Sequence, residues 1–161
     1  MSASDTTRVL FVCLGNICRS PLAEGVFREL VRDASLEDRY EVDSAGTGAW
    51  HVGEPADPRS RAVARKHGIV LDGRARQVSD EDFRTFHVII AMDRENQENL
   101  ERIRNGGRAR LHLLREFDPD AGDDAEVPDP YYGGPGGFDQ VFHMVHRSCL
   151  ELLDALEAER K

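Results

Sequence analysis

Apolar positions change their spacing several times along this chain. Val9-Leu10-Phe11-Val12 is an unbroken apolar run of strand length, and Arg8 to Val12 is predicted as a short strand. Beyond Ser20-Pro21 the spacing becomes helical: Leu22, Val26, Phe27, Leu30, Val31 and Ala34 recur at three and four. Ser20 reads as the N-cap of that helix and Pro21 as its first helical residue. Tyr40 to Ser44 predicts a second strand. The Gly/Pro-rich stretch from Gly46 to Pro58 predicts a loop, and Arg59 to His67 a helix stopped by Gly68. Ser79 opens a further helical turn with Glu81 and Asp82 in it. His87 to Met92 has the continuous apolar character of a strand covered on both faces. Arg94 to Arg104 predicts a helix ended by Asn105-Gly106-Gly107, and Arg110 to Leu114 a fourth strand. Phe117 to Gly137 lacks periodicity and holds four of the seven prolines, so it is irregular. A loop of that length is usually functional or disordered. Phe138 to Glu159 predicts the last helix, with Phe138, Phe142, Val145, Cys149, Leu152 and Leu156 as its apolar stripe.

Strands alternating with helices predict an α/β fold: one three-layer domain, a four-stranded parallel sheet with helices on both faces. The length of 161 residues suits one domain, expected over 8–161, behind a polar, flexible N-terminal segment, 1–7. Composition narrows the function classes. A net charge of −9 opposes nucleic acid, so an anionic substrate must be met by a local positive feature. No apolar run approaches membrane-spanning length, and the N-terminus lacks the apolar core of a secretory signal, so a cytoplasmic location is expected. Cys13, Cys18 and Cys149 are too few for a disulfide framework and lack zinc-site spacing.

Two of those cysteines sit in one loop, Cys13-Leu-Gly-Asn-Ile-Cys-Arg19-Ser20, between a strand end and a helix start. Ligands of parallel sheets bind beyond the carboxyl ends of strands, and helix N-termini attract anions. Gly15 and Asn16 tolerate the positive φ angles of an amide nest, and Arg19 can grip two phosphate oxygens at once. Cationic surroundings also favour the thiolate, the nucleophilic form of Cys13. The loop therefore offers an activated sulfur at the base of a cradle for a tetrahedral anion, which suits phosphoryl transfer. Cys149 lies on an apolar stripe and reads as a core residue. Attack by sulfur needs an acid to protonate the leaving oxygen. Asp57, Asp118 and Asp129 each precede a proline in a loop, and the residues alone do not choose among them. Trp50 is balanced between loop packing and a substrate wall. The six histidines show no shared site.

Residues 12–27, VCLGNICRSPLAEGVF, closely resemble the phosphate loop of the low-molecular-weight protein tyrosine phosphatases. Asp129-Pro-Tyr-Tyr-Gly133 resembles that family's general-acid loop. Ser44-Ala-Gly, Trp50-His-Val-Gly53 and Ala91-Met-Asp93 are similar to further family segments, in family order. The resemblance implies Cys13 as nucleophile through a phosphocysteine intermediate and Arg19 as the ligand of substrate and transition state. It implies Asp129 as general acid, then base. Ser20 would donate to the Cys13 sulfur, Asn16 would shape the loop and orient Ser20, and Leu14, Gly15, Asn16, Ile17 and Cys18 would offer amides to phosphate. Trp50, Tyr131 and Tyr132 would belong to the substrate cleft, and Cys18 would be the redox partner of Cys13. The implied strand order is 2-1-3-4. The implied partners are a phosphotyrosine protein or small aryl phosphate and product phosphate. No metal, cofactor, nucleic acid or membrane is implied, and the chain would be a monomer or weakly self-associating.

One departure stands out: Leu71-Asp-Gly-Arg74 lacks a histidine that some relatives carry there and that supports the loop. Two alternatives remain. Arsenate reductases share the fold and loop but need a further cysteine pair, absent from 83–92. A non-catalytic anion-binding or redox-sensing thiol module would need no acid at Asp129.

Overall fold

The computed structural model describes residues 6–123, 125–130 and 137–160. Its centre is strand β1, Thr7–Cys13, which pairs in parallel with β2, Tyr40–Gly46, on one side and β3, Val88–Ala91, on the other. A fourth parallel strand, β4, Arg110–Leu113, pairs with β3 and completes the order β2-β1-β3-β4. The expected sheet and order are those observed. The helices are α1, Arg19–Asp33; α2, Pro58–Lys66; α3, Asp82–Thr85; α4, Arg94–Ile103; and α5, Gly137–Arg160.

Alternation along β1 explains the three layers. Val9, Phe11 and Cys13 belong to one core, with Phe27 of α1, Val63 of α2 and Cys149 of α5. Leu10 and Val12 belong to the other, with Phe83 of α3 and Leu100 of α4. Each face needs apolar residues, hence the unbroken run in the sequence. Phe27 links Phe11 and Tyr40 through ring contacts at 5.6 and 5.8 Å. Its full burial contributes about 2–3 kcal/mol. The expected stripe of α5 is buried throughout, and burial pushes the Cys149 thiol far above its ordinary value.

The structure departs from the sequence pattern in places. Two 3-10 turns, Glu37–Arg39 and Leu114–Phe117, had no periodicity to reveal them. The second takes Leu114 from the expected fourth strand. Helix α1 begins at Arg19, two residues before the expected first helical residue, Pro21. Ser20 is therefore not its N-cap; Cys18 holds that position and makes no side-chain cap. The Ser20 hydroxyl is fully buried and bonds within the loop instead.

The irregular segment after β4 is tied down by polar contacts. Asp118 accepts from Arg115 Nε at 2.9 Å and from Arg147 of α5 at 3.1 and 3.2 Å. Val127 donates its N–H to Met92 O at 2.7 Å, and Glu126 O accepts from Arg115 at 3.0 Å. Burial alone would raise the Asp118 carboxyl, but bonds from Arg147, the Asp120 amide and Arg115 outweigh it and hold it below its ordinary 3.8. Asp118 thus adds stability that is present above pH about 4 and lost as pH falls through its lowered folded value. Asp118→Ala removes the buried carboxylate that both guanidinium groups share, leaving Arg115 on Glu126 O and Arg147 on Asp120, and should lower unfolding stability by about 2–3 kcal/mol. Urea unfolding checks this, and the gap between variant and parent should narrow below pH about 4.

Candidate active site

The chain leaves β1 toward β2 on one side and later returns to β3 on the other. The carboxyl end of β1 is therefore the switch point where a crevice opens. The loop from Leu14 to Cys18 fills it. Gly46, opposite Cys13 in β2, lies directly beneath this loop. A Cβ on Gly46 would stand 2.8 Å from Leu14 O, so the close approach requires glycine. Thr47 and Gly48 donate their N–H groups to Cys13 O and Leu14 O, each at 2.9 Å.

Asn16 has a φ of 57°, the left-handed conformation expected of it. Gly15 does not share that conformation. Its missing side chain instead leaves room for His51, whose Cδ2 would lie 2.9 Å from an added Cβ. The Asn16 side chain sets the polarity of the loop. Its Oδ1 accepts the Arg76 N–H at 3.0 Å, so Nδ2 must be the end that meets Ser20 Oγ at 2.8 Å and Ser44 Oγ at 3.0 Å. Ser20 Oγ, already an acceptor, lies 3.1 Å from Cys13 Sγ and 3.4 Å from Ala45 O, and its own hydrogen is shared between the sulfur and that carbonyl. Ser44 passes its hydrogen outward to Glu24 Oε1 at 2.6 Å. Burial raises the Glu24 carboxyl despite the opposing effects of Ser44 and Arg28.

Arg19 is almost wholly buried. Its Nη1 donates to Asp93 Oδ2 at 2.6 Å and to Val127 O at 2.9 Å, while Nη2 lies 3.8 Å from Asp129 Oδ2. Burial works against the guanidinium charge, but Cys13, Asp93 and Asp129 outweigh it and hold Arg19 above its ordinary value. Asp93 also caps α4, its Oδ1 accepting Asn96 N–H at 2.8 Å. The three Asp-Pro pairs therefore separate cleanly. Asp57 caps α2 through the Arg59 N–H, Asp118 anchors α5, and Asp129 reaches the crevice.

The crevice has a volume of about 300 Å³ and is lined by Cys13, Leu14, Gly15, Ile17, Cys18, Arg19, Trp50, His51 and Asp129. Trp50 is 73% exposed at its wall. Tyr131 and Tyr132, assigned by resemblance to the same cleft, lie outside the described residues. Cys13 and Cys18 are free, buried thiols. Burial, then the charges of Asp57, Cys13 and Asp129, push Cys18 up to about 12.

Sequence reasoning assigned no role to Asp93, Glu24 or Ser44, which act at second hand on Arg19 and Asn16. It also gave His51 none. A spacing search has no signal for such partners, because Asp93 is 74 residues from Arg19. A larger cavity of about 430 Å³ lies behind the loop and is lined in part by Leu71, Asp72, Gly73 and Arg74. It touches Asn16, Ser44 and Glu24 but not Cys13. Among the described residues, no group of three His, Cys, Asp or Glu side chains could hold a metal, and no helix is long and apolar enough to cross a membrane.

Asn16→Ala would remove both Nδ2 bonds, strand the Arg76 N–H and leave a Cβ residue at positive φ. The expected cost is about 3 kcal/mol, from lost bonds and backbone strain together. Asn16→Gly relieves only the strain and should recover about 1 kcal/mol of that loss in chemical denaturation.

The model of the low molecular weight phosphotyrosine protein phosphatases matches residues 8–161. A low molecular weight protein-tyrosine-phosphatase of Streptomyces coelicolor is 48% identical over 157 residues, covering 96% of each chain. The human low molecular weight phosphotyrosine protein phosphatase is 41% identical, covering 96% of this chain and 98% of its own. The crystal structure of YfkJ from Bacillus subtilis superposes with a TM-score of 0.92 at 41% identity, covering 99% of this chain and all of that one. With the family model matching residues 8–161 and relatives aligned over nearly the whole length of both chains, this chain belongs to the low molecular weight phosphotyrosine protein phosphatase family.

Proposed function

We propose that this chain is a protein-tyrosine phosphatase that hydrolyses phosphotyrosine and aryl phosphates through a phosphocysteine intermediate. The observation that carries this reading is convergence: Asp129, more than a hundred residues away in sequence, lines one crevice with Cys13 and Arg19 of the loop. Phosphate oxygens are held by the amides of Leu14 to Cys18 and by the Arg19 guanidinium. The Cys13 thiolate, stabilised by the Ser20 hydroxyl, attacks phosphorus in line; the S–P bond forms as the bond to the phenolic oxygen breaks. Asp129 gives its proton to that oxygen, a contribution of roughly 10²–10⁴-fold for a placed acid. The resulting carboxylate then takes a proton from water, which attacks phosphorus and breaks the S–P bond. Inorganic phosphate leaves and Cys13 is restored. Trp50, and by resemblance Tyr131 and Tyr132, wall the aromatic ring of the substrate.

Cys18 is assigned a protective role. Peroxide converts the Cys13 thiolate to a sulfenic acid; the Cys18 sulfur attacks it, a disulfide forms and water leaves. The high value of Cys18 keeps it protonated in the resting protein, so it does not compete for substrate.

The first test is hydrolysis of p-nitrophenyl phosphate at mildly acidic pH with reductant and excess EDTA. Wild type should turn over, and Cys13→Ser should lose roughly 10⁴-fold or more while still binding phosphate. Full activity in that variant would overturn the mechanism. Asp129→Ala should slow phenyl phosphate by roughly 10²–10⁴-fold and spare better leaving groups. A leaving-group dependence equal to wild type would remove Asp129 from the acid role. After brief peroxide treatment, dithiothreitol should restore wild type but not Cys18→Ser. Equal recovery would show that Cys18 takes no part.

A further inference from the structure

The chain carries a net charge of −9, yet the span 58–77 holds six cations, Arg59, Arg61, Arg65, Lys66, Arg74 and Arg76, against one carboxylate, Asp72. Three of the six are already paired with carboxylates. Arg59 holds Asp57 and lies over the Phe138 ring, Lys66 reaches Asp139 of α5 at 2.7 Å, and Arg76 holds Asp43 and Asp82. Arg61, Arg65 and Arg74 have no carboxylate partner among the described residues. Arg61 and Arg65 stand one helical turn apart on α2, so they share a face. Arg65 and Arg74 are exposed and Arg61 is half-buried.

Two of these arginines are fixed to the strip of chain that leaves the crevice. Arg61 Nε donates to Ala56 O and Arg74 Nη1 to Gly53 O, each at 3.0 Å. Gly53 is two residues from His51 and three from Trp50, both in the crevice wall. Pro55 bridges Arg74, and Asp57 N–H donates to Ile17 O of the phosphate loop at 2.7 Å. The strip from Gly53 to Asp57 thus runs between crevice and α2, with a guanidinium held at Gly53 and another at Ala56. Glu54, which meets His51 at 3.1 Å, and Asp72 lie beside them, and the cavity that Arg74 lines also holds Glu24, Glu29 and Asp43, of which Glu24 and Asp43 are paired with Arg28 and Arg76.

We infer that Arg61, Arg65 and Arg74 form a cationic ledge that selects phosphotyrosine segments carrying acidic residues near the phosphorylated side chain. The inference rests on the phosphatase reading. At about 3.3–3.6 Å per extended residue, the strip from His51 to Ala56 spans at most about 18 Å. A bound peptide covers that distance within about five residues of the phosphotyrosine. Rim charges of this kind mainly steer association and set preference, and they weaken in salt.

The experiment compares kcat/KM for phosphotyrosine peptides with Asp or Glu placed within five residues on either side against otherwise identical peptides with Ser there. Wild type should prefer the acidic set on one side by about ten-fold at low salt, less at 0.5 M NaCl, as roughly three exposed ion pairs allow. The triple variant Arg61→Ser, Arg65→Ser, Arg74→Ser should lose the preference and keep its turnover of p-nitrophenyl phosphate. Arg65→Glu serves as the second variant, because that side chain makes no hydrogen bond among the described residues; it should reduce the preference alone. A wild type that turns over both peptide sets equally overturns the ledge and leaves the phosphatase reading standing. So does a triple variant that keeps the preference. A wild type that hydrolyses neither p-nitrophenyl phosphate nor any peptide overturns the phosphatase reading, and the ledge's role in substrate choice with it.

Discussion

A backbone N–H can only donate, and that of Arg76 donates to the Asn16 side chain. This bond decides which end of the amide is oxygen, and every hydrogen in the loop then falls into line. Nδ2 gives to Ser20 and Ser44, Ser20 keeps its hydrogen for the Cys13 sulfur and the Ala45 carbonyl, and Ser44 turns its own to Glu24. The donor is itself held firmly. Arg76 O accepts the Gly46 N–H, and its guanidinium lies between Asp43 and Asp82. Polarity at the sulfur is thus inherited from an ordinary peptide group on the far side of the sheet edge. A buried network in which each member has a fixed direction holds one geometry, and phosphoryl transfer depends on geometry held before the substrate arrives.

The second anchor is Asp93, whose two oxygens serve separate masters. One caps α4 and the other holds Arg19. The same Nη1 is held a second time, by Val127 O at 2.9 Å. Val127 in turn hangs from Met92, next to Asp93 at the end of β3. Asp118 and Val127 therefore fasten the long irregular segment at two points, and Asp129 follows two residues after the second. The acid-bearing stretch owes its place to β3 and α5 more than to any regularity of its own.

Much of this was legible in the chain itself. The run Val9 to Val12 demanded two apolar faces, and two clusters of core residues meet it. The α5 stripe, the Gly68 stop and the loop at the end of β1 were equally plain, because each is a local pattern. Ser20 misled for a physical reason: a serine before a proline has the signature of a cap, but here the buried sulfur and amide compete for its hydroxyl and win. Asp57, Asp118 and Asp129 look alike in sequence, since each merely precedes a proline. Only the contacts made by chain far away distinguish a cap, an ion-pair centre and a crevice residue. The same holds for Asp93 and Glu24, which act through partners distant in sequence. Gly46 was visible as part of a motif, while its reason, the loop backbone 2.8 Å above it, was not.

The three cysteines differ in a way that bears on how this protein can be counted. Cys149 is sealed in the core and Cys18 is held protonated up to about 12. Alkylation runs through the thiolate, so neither competes at neutral pH. Iodoacetate brings its own carboxylate to a loop built around Arg19, beside the one sulfur served by the Ser20 hydroxyl. With Cys13 as the proposed nucleophile, incorporation of a single carboxymethyl group would measure intact loops rather than total protein, so that a preparation would be standardised by stoichiometric titration instead of by mass.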